Sequence, residues 1–107
     1  MRFLRTLIFA SLAVFLTSTS VFAQSTGSIG GQVMDSLGAV VVGATVTVVD
    51  STGKQKQAIS NARGEFNFAG LAPGKYTVKA IAPKFGLYEN TEVDVVADER
   101  NELVVAL

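Results

Sequence analysis

Short β-rich runs separated by turn signals of Gly, Pro, Asn or Asp recur along residues 29–107, and in four of them apolar and polar residues alternate one by one. A period of two puts successive side chains on opposite faces of an extended strand, so each alternating run predicts a strand with one face in a core. The runs are residues 29–34, 44–50, 54–60, 65–68, 75–82, 92–96 and 102–107. In the second, Ala44, Val46 and Val48 face one way and Thr45 and Thr47 the other. In the fourth, Phe66 and Phe68 share a side, and in the fifth so do Tyr76, Val78 and Ala80. Val93 and Val95 are read as inward. Residues 54–60 bury little, and the charges of Lys54 and Lys56 suit an edge that discourages further pairing. Asp35-Ser36-Leu37-Gly38, Ser51-Thr52-Gly53, Asn61-Ala62-Arg63-Gly64 and Pro73-Gly74 read as turns. Residues 69–74 are expected to form a loop in which Leu71 plugs the end of the core, and residues 97–101 a charged turn. Pro83 ends its strand because it has no amide hydrogen to donate. No stretch after residue 23 repeats apolar residues at helical spacing. The expectation is all-β: an antiparallel two-sheet sandwich of about seven strands, preceded by a signal helix.

The first 23 residues follow a different logic. Arg2 and Arg5 give a positive start, residues 7–16 (LIFASLAVFL) are apolar with one serine, and Thr17-Ser18-Thr19-Ser20 follows. Val21 and Ala23 then place small or modest side chains three and one positions before a cut at Gln24. This is the layout of a cleavable secretory signal. A membrane-spanning helix needs roughly 20 apolar residues, and this core is half as long. The domain boundaries read as 1–23 signal, 24–28 flexible lead and 29–107 sandwich, giving a periplasmic or secreted protein with no stable membrane span after cleavage. The absence of cysteine closes the lipid-attachment route of bacterial lipoproteins.

Without residues 1–23 the 107-residue chain keeps 84, enough for one domain. Arg2 and Arg5 leave with the signal, so Lys+Arg falls from 9 to 7 while all 9 Asp+Glu remain, a net charge of −2. A weakly acidic domain without a basic cluster is a poor nucleic-acid binder, since phosphate neutralisation supplies most of that affinity. With neither Cys nor His, zinc and iron–sulfur sites and the common nucleophilic triads are excluded, and no cofactor is expected.

The motifs resemble a known family. Gly31-Gln32-Val33-Met34-Asp35-Ser36-Leu37-Gly38 and Gly43-Ala44-Thr45-Val46-Thr47-Val48 are similar to the opening of the carboxypeptidase regulatory-like domain, G-x-V-x-D-x-x-G followed by G-A-x-V-x-V. Asn61-Ala62-Arg63-Gly64-Glu65-Phe66 and Leu71-Ala72-Pro73-Gly74-Lys75-Tyr76-Thr77-Val78 continue the likeness, which covers residues 28–85. Val42 stands where many members have Pro, and Asn61 where many have Asp. The resemblance implies a transthyretin-like, immunoglobulin-like sandwich, also grouped with carbohydrate-binding-like folds, of an exported bacterial type. It implies a module that accompanies catalytic domains without doing their chemistry, or that precedes TonB-dependent outer-membrane receptors.

Candidate sites are few. Asp35, Asp50, Glu65, Asp98 and Glu99 fall in turns or exposed strand positions and read as solvated acids. Asp35 with Ser36, Asp50 with Ser51, or Asp98 with Glu99 offers oxygens of the kind calcium prefers, but no spacing like an EF-hand loop occurs, and turn capping is the expected role. No catalytic or metal-binding residue is assigned. Sugar sites rely on exposed aromatic platforms; there is no Trp, and Phe66 and Tyr76 read as buried. Phe85 and Tyr88 are the exposed aromatic pair and the one nominated partner patch, against the alternative that they fold back and cap the sandwich. A Lys–Asn crosslink, seen in related surface sandwiches, is discounted because Lys79 faces outward. The expected function is an exported non-catalytic binding or structural module for an unknown protein or glycan ligand. The alternatives are an amino-terminal remnant of a TonB-dependent receptor, with which the apolar end LVVAL (residues 103–107) is compatible, and an accessory domain to a separate peptidase.

Overall fold

The structure, a computed structural model, describes residues 25–107; the signal assigned to residues 1–23 lies outside them. Seven strands follow in order: β1 (Gly27–Met34), β2 (Thr45–Val49), β3 (Gln55–Ile59), β4 (Glu65–Leu71), β5 (Gly74–Ile81), β6 (Tyr88–Val95) and β7 (Arg100–Ala106). They form two sheets, β4-β1-β7 and β3-β2-β5-β6, packed as a sandwich. Neighbouring strands pair antiparallel except β1 and β7, which run parallel from Ser28↔Arg100 to Met34↔Ala106. Among the described residues no helix is long and apolar enough to cross a membrane.

The alternation determines the core. Val46, Val48, Tyr76, Val78, Ala80, Val93 and Val95 are all buried, facing Phe66, Phe68, Ile29, Val33 and Val105 of the three-stranded sheet, which are buried too. Phe66 and Phe68 lie side by side, ring centroids 6.2 Å apart and tilted. Leu71 closes one end of this core, 3% exposed. β3 is the expected exposed edge.

Boundaries move where packing outweighs local composition. β1 starts at Gly27, so Gly27 and Ser28 belong to the sandwich and not to a flexible lead. A side chain at Gly27 would stand 2.3 Å from the Val96 carbonyl, and the Asp98 amide donates to the Thr26 carbonyl at 2.9 Å. β4 continues to Leu71 and β5 begins at Gly74, which shortens the expected loop to Ala72 and Pro73. β6 begins at Tyr88, four residues before the expected run, because Tyr88 pairs with Ala80. β7 takes Arg100 and Asn101 out of the expected charged turn through the ladder with Ser28 and Ile29.

Three turns are copies of one device. Asp35 Oδ1 accepts from the amides of Leu37 and Ala39, Asp50 Oδ1 from Thr52 and Lys54, and Asn61 Oδ1 from Arg63 and Glu65, all at 2.9 Å. In each, the glycine three residues on (Gly38, Gly53, Gly64) has φ of +83°, +89° or +72°, the left-handed region that a side chain disfavours. The Asp50 turn joins the antiparallel pair β2 and β3, while the Asp35 and Asn61 turns lie where the chain passes from one sheet to the other. Only an oxygen acceptor is needed, which is why Asn61 serves as well as Asp.

Candidate functional site

Asp35 and Asp50 are therefore occupied in holding turns. The Thr52 hydroxyl bonded at 2.7 Å, together with the Thr52 and Lys54 amides and the Lys54 charge, holds the Asp50 carboxyl below the usual carboxylate range. Among the described residues no three His, Cys, Asp or Glu side chains gather where they could hold a metal ion. Tyr76 buries its ring and donates its hydroxyl to the Ala72 carbonyl at 2.7 Å. Burial, with a smaller contribution from Asp50, pushes its phenol up from the ordinary value. All five described lysines are exposed, so a crosslink from the core has no donor.

The two nominated aromatics differ in burial. Phe85, in the loop after β5, is 40% exposed, while Tyr88 is half-buried and packs against the core as the first residue of β6. Phe85 instead shares its end of the molecule with aliphatic side chains. Ile59 and Ile81 flank Thr45 in register on the outer face of the four-stranded sheet, and both are exposed, as are Val42 and Leu87 nearby.

A broad concavity runs from the outer face of the three-stranded sheet around its β4 edge to the neighbouring edge strand β3 of the other sheet. In β1, Gly30 sits in register between Asn67 of β4 and Glu102 of β7. The Arg100 side chain crosses the space that Gly30 leaves. Its Nε donates to Glu102 Oε2 at 2.6 Å, its Nη1 donates to Asn67 Oδ1 at 2.7 Å, and its Nη2 hangs over Gly30, 2.3 Å from where a Cβ would stand. The guanidinium is thereby fixed across three strands. It lies across the floor of an open groove of about 670 Å³, whose lining also includes Gln32, Glu65, Asn61, Ala58 and Ile59. Gln32 is itself held, donating to the Arg63 carbonyl at 2.7 Å. The Arg100–Glu102 pair is 52% and 65% exposed, so solvent screens it and it contributes about 0–1 kcal/mol to stability. Sequence reading passed over this cluster, because Arg100 lay in an expected turn and Asn67 on a strand 33 residues away.

Solved structures share the sandwich. A minor pilin of Streptococcus agalactiae matches 78% of this chain and 44% of its own length at 15% identity (TM-score 0.64). A protein of Bacteroides uniformis described as a putative carbohydrate binding protein matches 74% of this chain and 40% of its own at 19% identity (TM-score 0.61). The 5-hydroxyisourate hydrolase of Klebsiella pneumoniae matches 76% of this chain and 89% of its own at 20% identity (TM-score 0.58). At these identities the likeness is one of fold. The chain spans less than half the length of the first two. No curated protein matches it in sequence. The family profile of the carboxypeptidase regulatory-like domain matches residues 28–107, nearly the whole sandwich, and takes in the β7 strand that supplies Arg100 and Glu102. With its turn device, its paired sheets and this match all in agreement, the chain belongs to the carboxypeptidase regulatory-like domain family.

Proposed function

We propose that this chain is an exported, non-catalytic binding module that engages its ligand through the Arg100 groove. One observation carries the reading. The fold uses Asp35, Asp50 and Asn61 as turn acceptors and Tyr76 as a core residue, whereas the hydrogen-bonded set Arg100, Asn67 and Glu102 adds little to stability and faces solvent. A polar cluster held in a fixed arrangement without a structural need suits binding. Catalysis of the general acid–base kind calls for a carboxyl or imidazole tuned by burial. The groove is open to water, and its carboxylates stand at its exposed rim. Export rests on the order Arg2, Arg5, residues 7–16 and Ala23.

The test is fractionation of cells expressing the full chain, with amino-terminal sequencing of the recovered protein and a crosslinked pull-down. The expected product begins at Gln24, is soluble in the periplasm or medium, and carries a partner or ligand whose capture falls in Arg100→Ala. A chain retained in the cytoplasm with Met1 intact would overturn export. Capture unaffected by Arg100→Ala would overturn the groove.

A further inference from the structure

We propose that the Arg100 groove takes an uncharged, hydroxyl-rich ligand, the neutral pyranose units of an oligosaccharide, an inference that rests on the binding-module reading above. Charge decides the class of ligand first. The groove is lined by one guanidinium, Arg100, and two carboxylates, Glu65 and Glu102. An anionic ligand would meet a net negative lining, with Arg100 already bonded to Glu102 at 2.6 Å. A cation would meet the guanidinium spread across the floor between Asn67 and Glu102. What the lining favours is a neutral group that both donates and accepts.

Counting free hydrogen-bonding positions narrows the choice. Arg100 uses Nε and one Nη1 hydrogen, which leaves the other Nη1 hydrogen and both on Nη2 as donors. Asn67 uses Oδ1 and leaves its amide nitrogen as a donor, and Glu102 leaves Oε1 as an acceptor. Asn67 on β4 and Glu102 on β7 flank Gly30 of β1, about 10 Å apart at two strand spacings, and the Arg100 guanidinium with its free donors bridges the space between them. Pyranose hydroxyls, each able to give and take a hydrogen bond, match this run of donors with an acceptor at one end. Ile59, 69% exposed and on the same groove, supplies an apolar wall for the C–H face of a ring. A docked protein surface fits less well, because the outward side chains here, Gln32, Glu65, Asn67, Arg100 and Glu102, are polar or charged, while the centre of a protein interface is depleted of charge.

Gly30 provides the variant that separates site from fold. The three atoms nearest a Cβ there all belong to side chains, two at the tip of the flexible Arg100 and the third Asn67 Oδ1 at 3.0 Å. Gly30→Ala therefore displaces the guanidinium while leaving the sheet in place.

The experiment is an amide-resolved NMR titration of the purified exported chain with cellohexaose, maltohexaose and xylohexaose, alongside a hexamer of galacturonate. A neutral hexasaccharide is expected to bind at millimolar strength or better and to move the amides of Gly30, Asn67 and Glu102. Arg100→Ala, Asn67→Ala and Gly30→Ala should each weaken binding by about fivefold or more, the loss of roughly one hydrogen bond. Lys79→Ala, on the opposite sheet, should leave it unchanged. Binding of the neutral sugar should be insensitive to salt, and the galacturonate should bind more weakly. Tighter, salt-sensitive binding of the galacturonate would make this an anion site and overturn the proposal. So would shifts confined to the Phe85 and Leu87 end, or groove capture of a peptide and no sugar, though the binding-module reading would survive both. No saccharide shift and no crosslinked partner would sink both readings.

Discussion

Gly30 and Gly31 are adjacent in β1, yet the same substitution at each should have very different consequences. At Gly31 an added Cβ would stand 1.9 Å from the Leu103 carbonyl oxygen and 2.8 Å from its carbon, both backbone atoms of the paired strand β7. Reaching even a tight 3.0 Å contact requires the strands to part by about 1 Å. The ladder has little slack, since sheet strands sit about 4.8 Å apart and their hydrogen bonds weaken as they separate. The cost belongs at the top of the overpacking range, about 3 kcal/mol. At Gly30 the Cβ displaces only the Arg100 guanidinium. That forfeits a screened ion pair worth about 0–1 kcal/mol, offset by about 0.4–1 kcal/mol from the lower entropy of the unfolded chain. Urea unfolding followed by circular dichroism should place Gly30→Ala within about 0.5 kcal/mol of the wild type. Gly31→Ala should lose about 3 kcal/mol, or roughly 12 °C or more in Tm for a domain this small. Equal midpoints for the two variants would refute the assignment of Gly31 to a backbone contact and of Gly30 to a side-chain one.

Other substitutions probe the core, the turns and the titrating groups. Phe66→Ala or Tyr76→Ala should cost about 3–5 kcal/mol, as for a buried aromatic, and an unchanged urea midpoint would contradict their burial. Buried Ser60 accepts from the Ala44 amide at 2.8 Å and donates to the Val41 carbonyl at 2.7 Å. Ser60→Ala strands both, and should cost about 1–3 kcal/mol by the same assay. The Asp50 carboxyl is lowered in the fold, so its contribution is in place above the unfolded carboxylate pKa of about 3.9 and lost as pH falls through the folded value. Carbon-detected NMR should show it titrating below that range, and Thr52→Val should raise it; no rise would acquit the hydroxyl. The Tyr76 phenol is raised, so its contribution is complete below the unfolded pKa of about 10 and lost as pH climbs through the folded value. Tyrosinate absorbance in Tyr88→Phe should appear later than in an unfolded control.

The core was legible because burial follows a period of two. Each residue read as inward in the second, fourth, fifth and sixth runs is buried. Chain direction and partner choice leave no such trace, since alternation reads the same in either direction. The parallel β1–β7 pair joins Ser28 to Arg100 across nearly the whole sandwich, and only the completed fold brings them together. The groove was illegible for the same reason: Asn67, Gly30 and Arg100 come from three strands, and each looks ordinary in its own segment. Tyr88 was misplaced because the glycine and proline before it announce a loop, whereas pairing with Ala80 extends the strand back to it. What composition suggested about Phe85 and Tyr88, an exposed pair, depended on a loop whose end only the sheet determines.

The Gly30-Gly31 dipeptide shows how a site can be told from a scaffold. Gly31 is explained by the fold alone, because a β7 carbonyl occupies the space of its side chain. Gly30 is not. Its φ lies outside the left-handed region, and the atoms closest to its missing side chain are the end of Arg100, which is free to swing into water. An alanine there would meet side-chain atoms first, with no backbone atom among the three nearest its Cβ. The glycine makes sense together with the pose of Arg100, clasped by Glu102 on one side and Asn67 on the other. Three strands contribute to an arrangement that adds little to stability and holds free donors and an acceptor over an open floor. Fold requirements account for Gly31, Gly38, Gly53 and Gly64; Gly30 is accounted for by the pose of Arg100, the arrangement proposed above to engage a ligand.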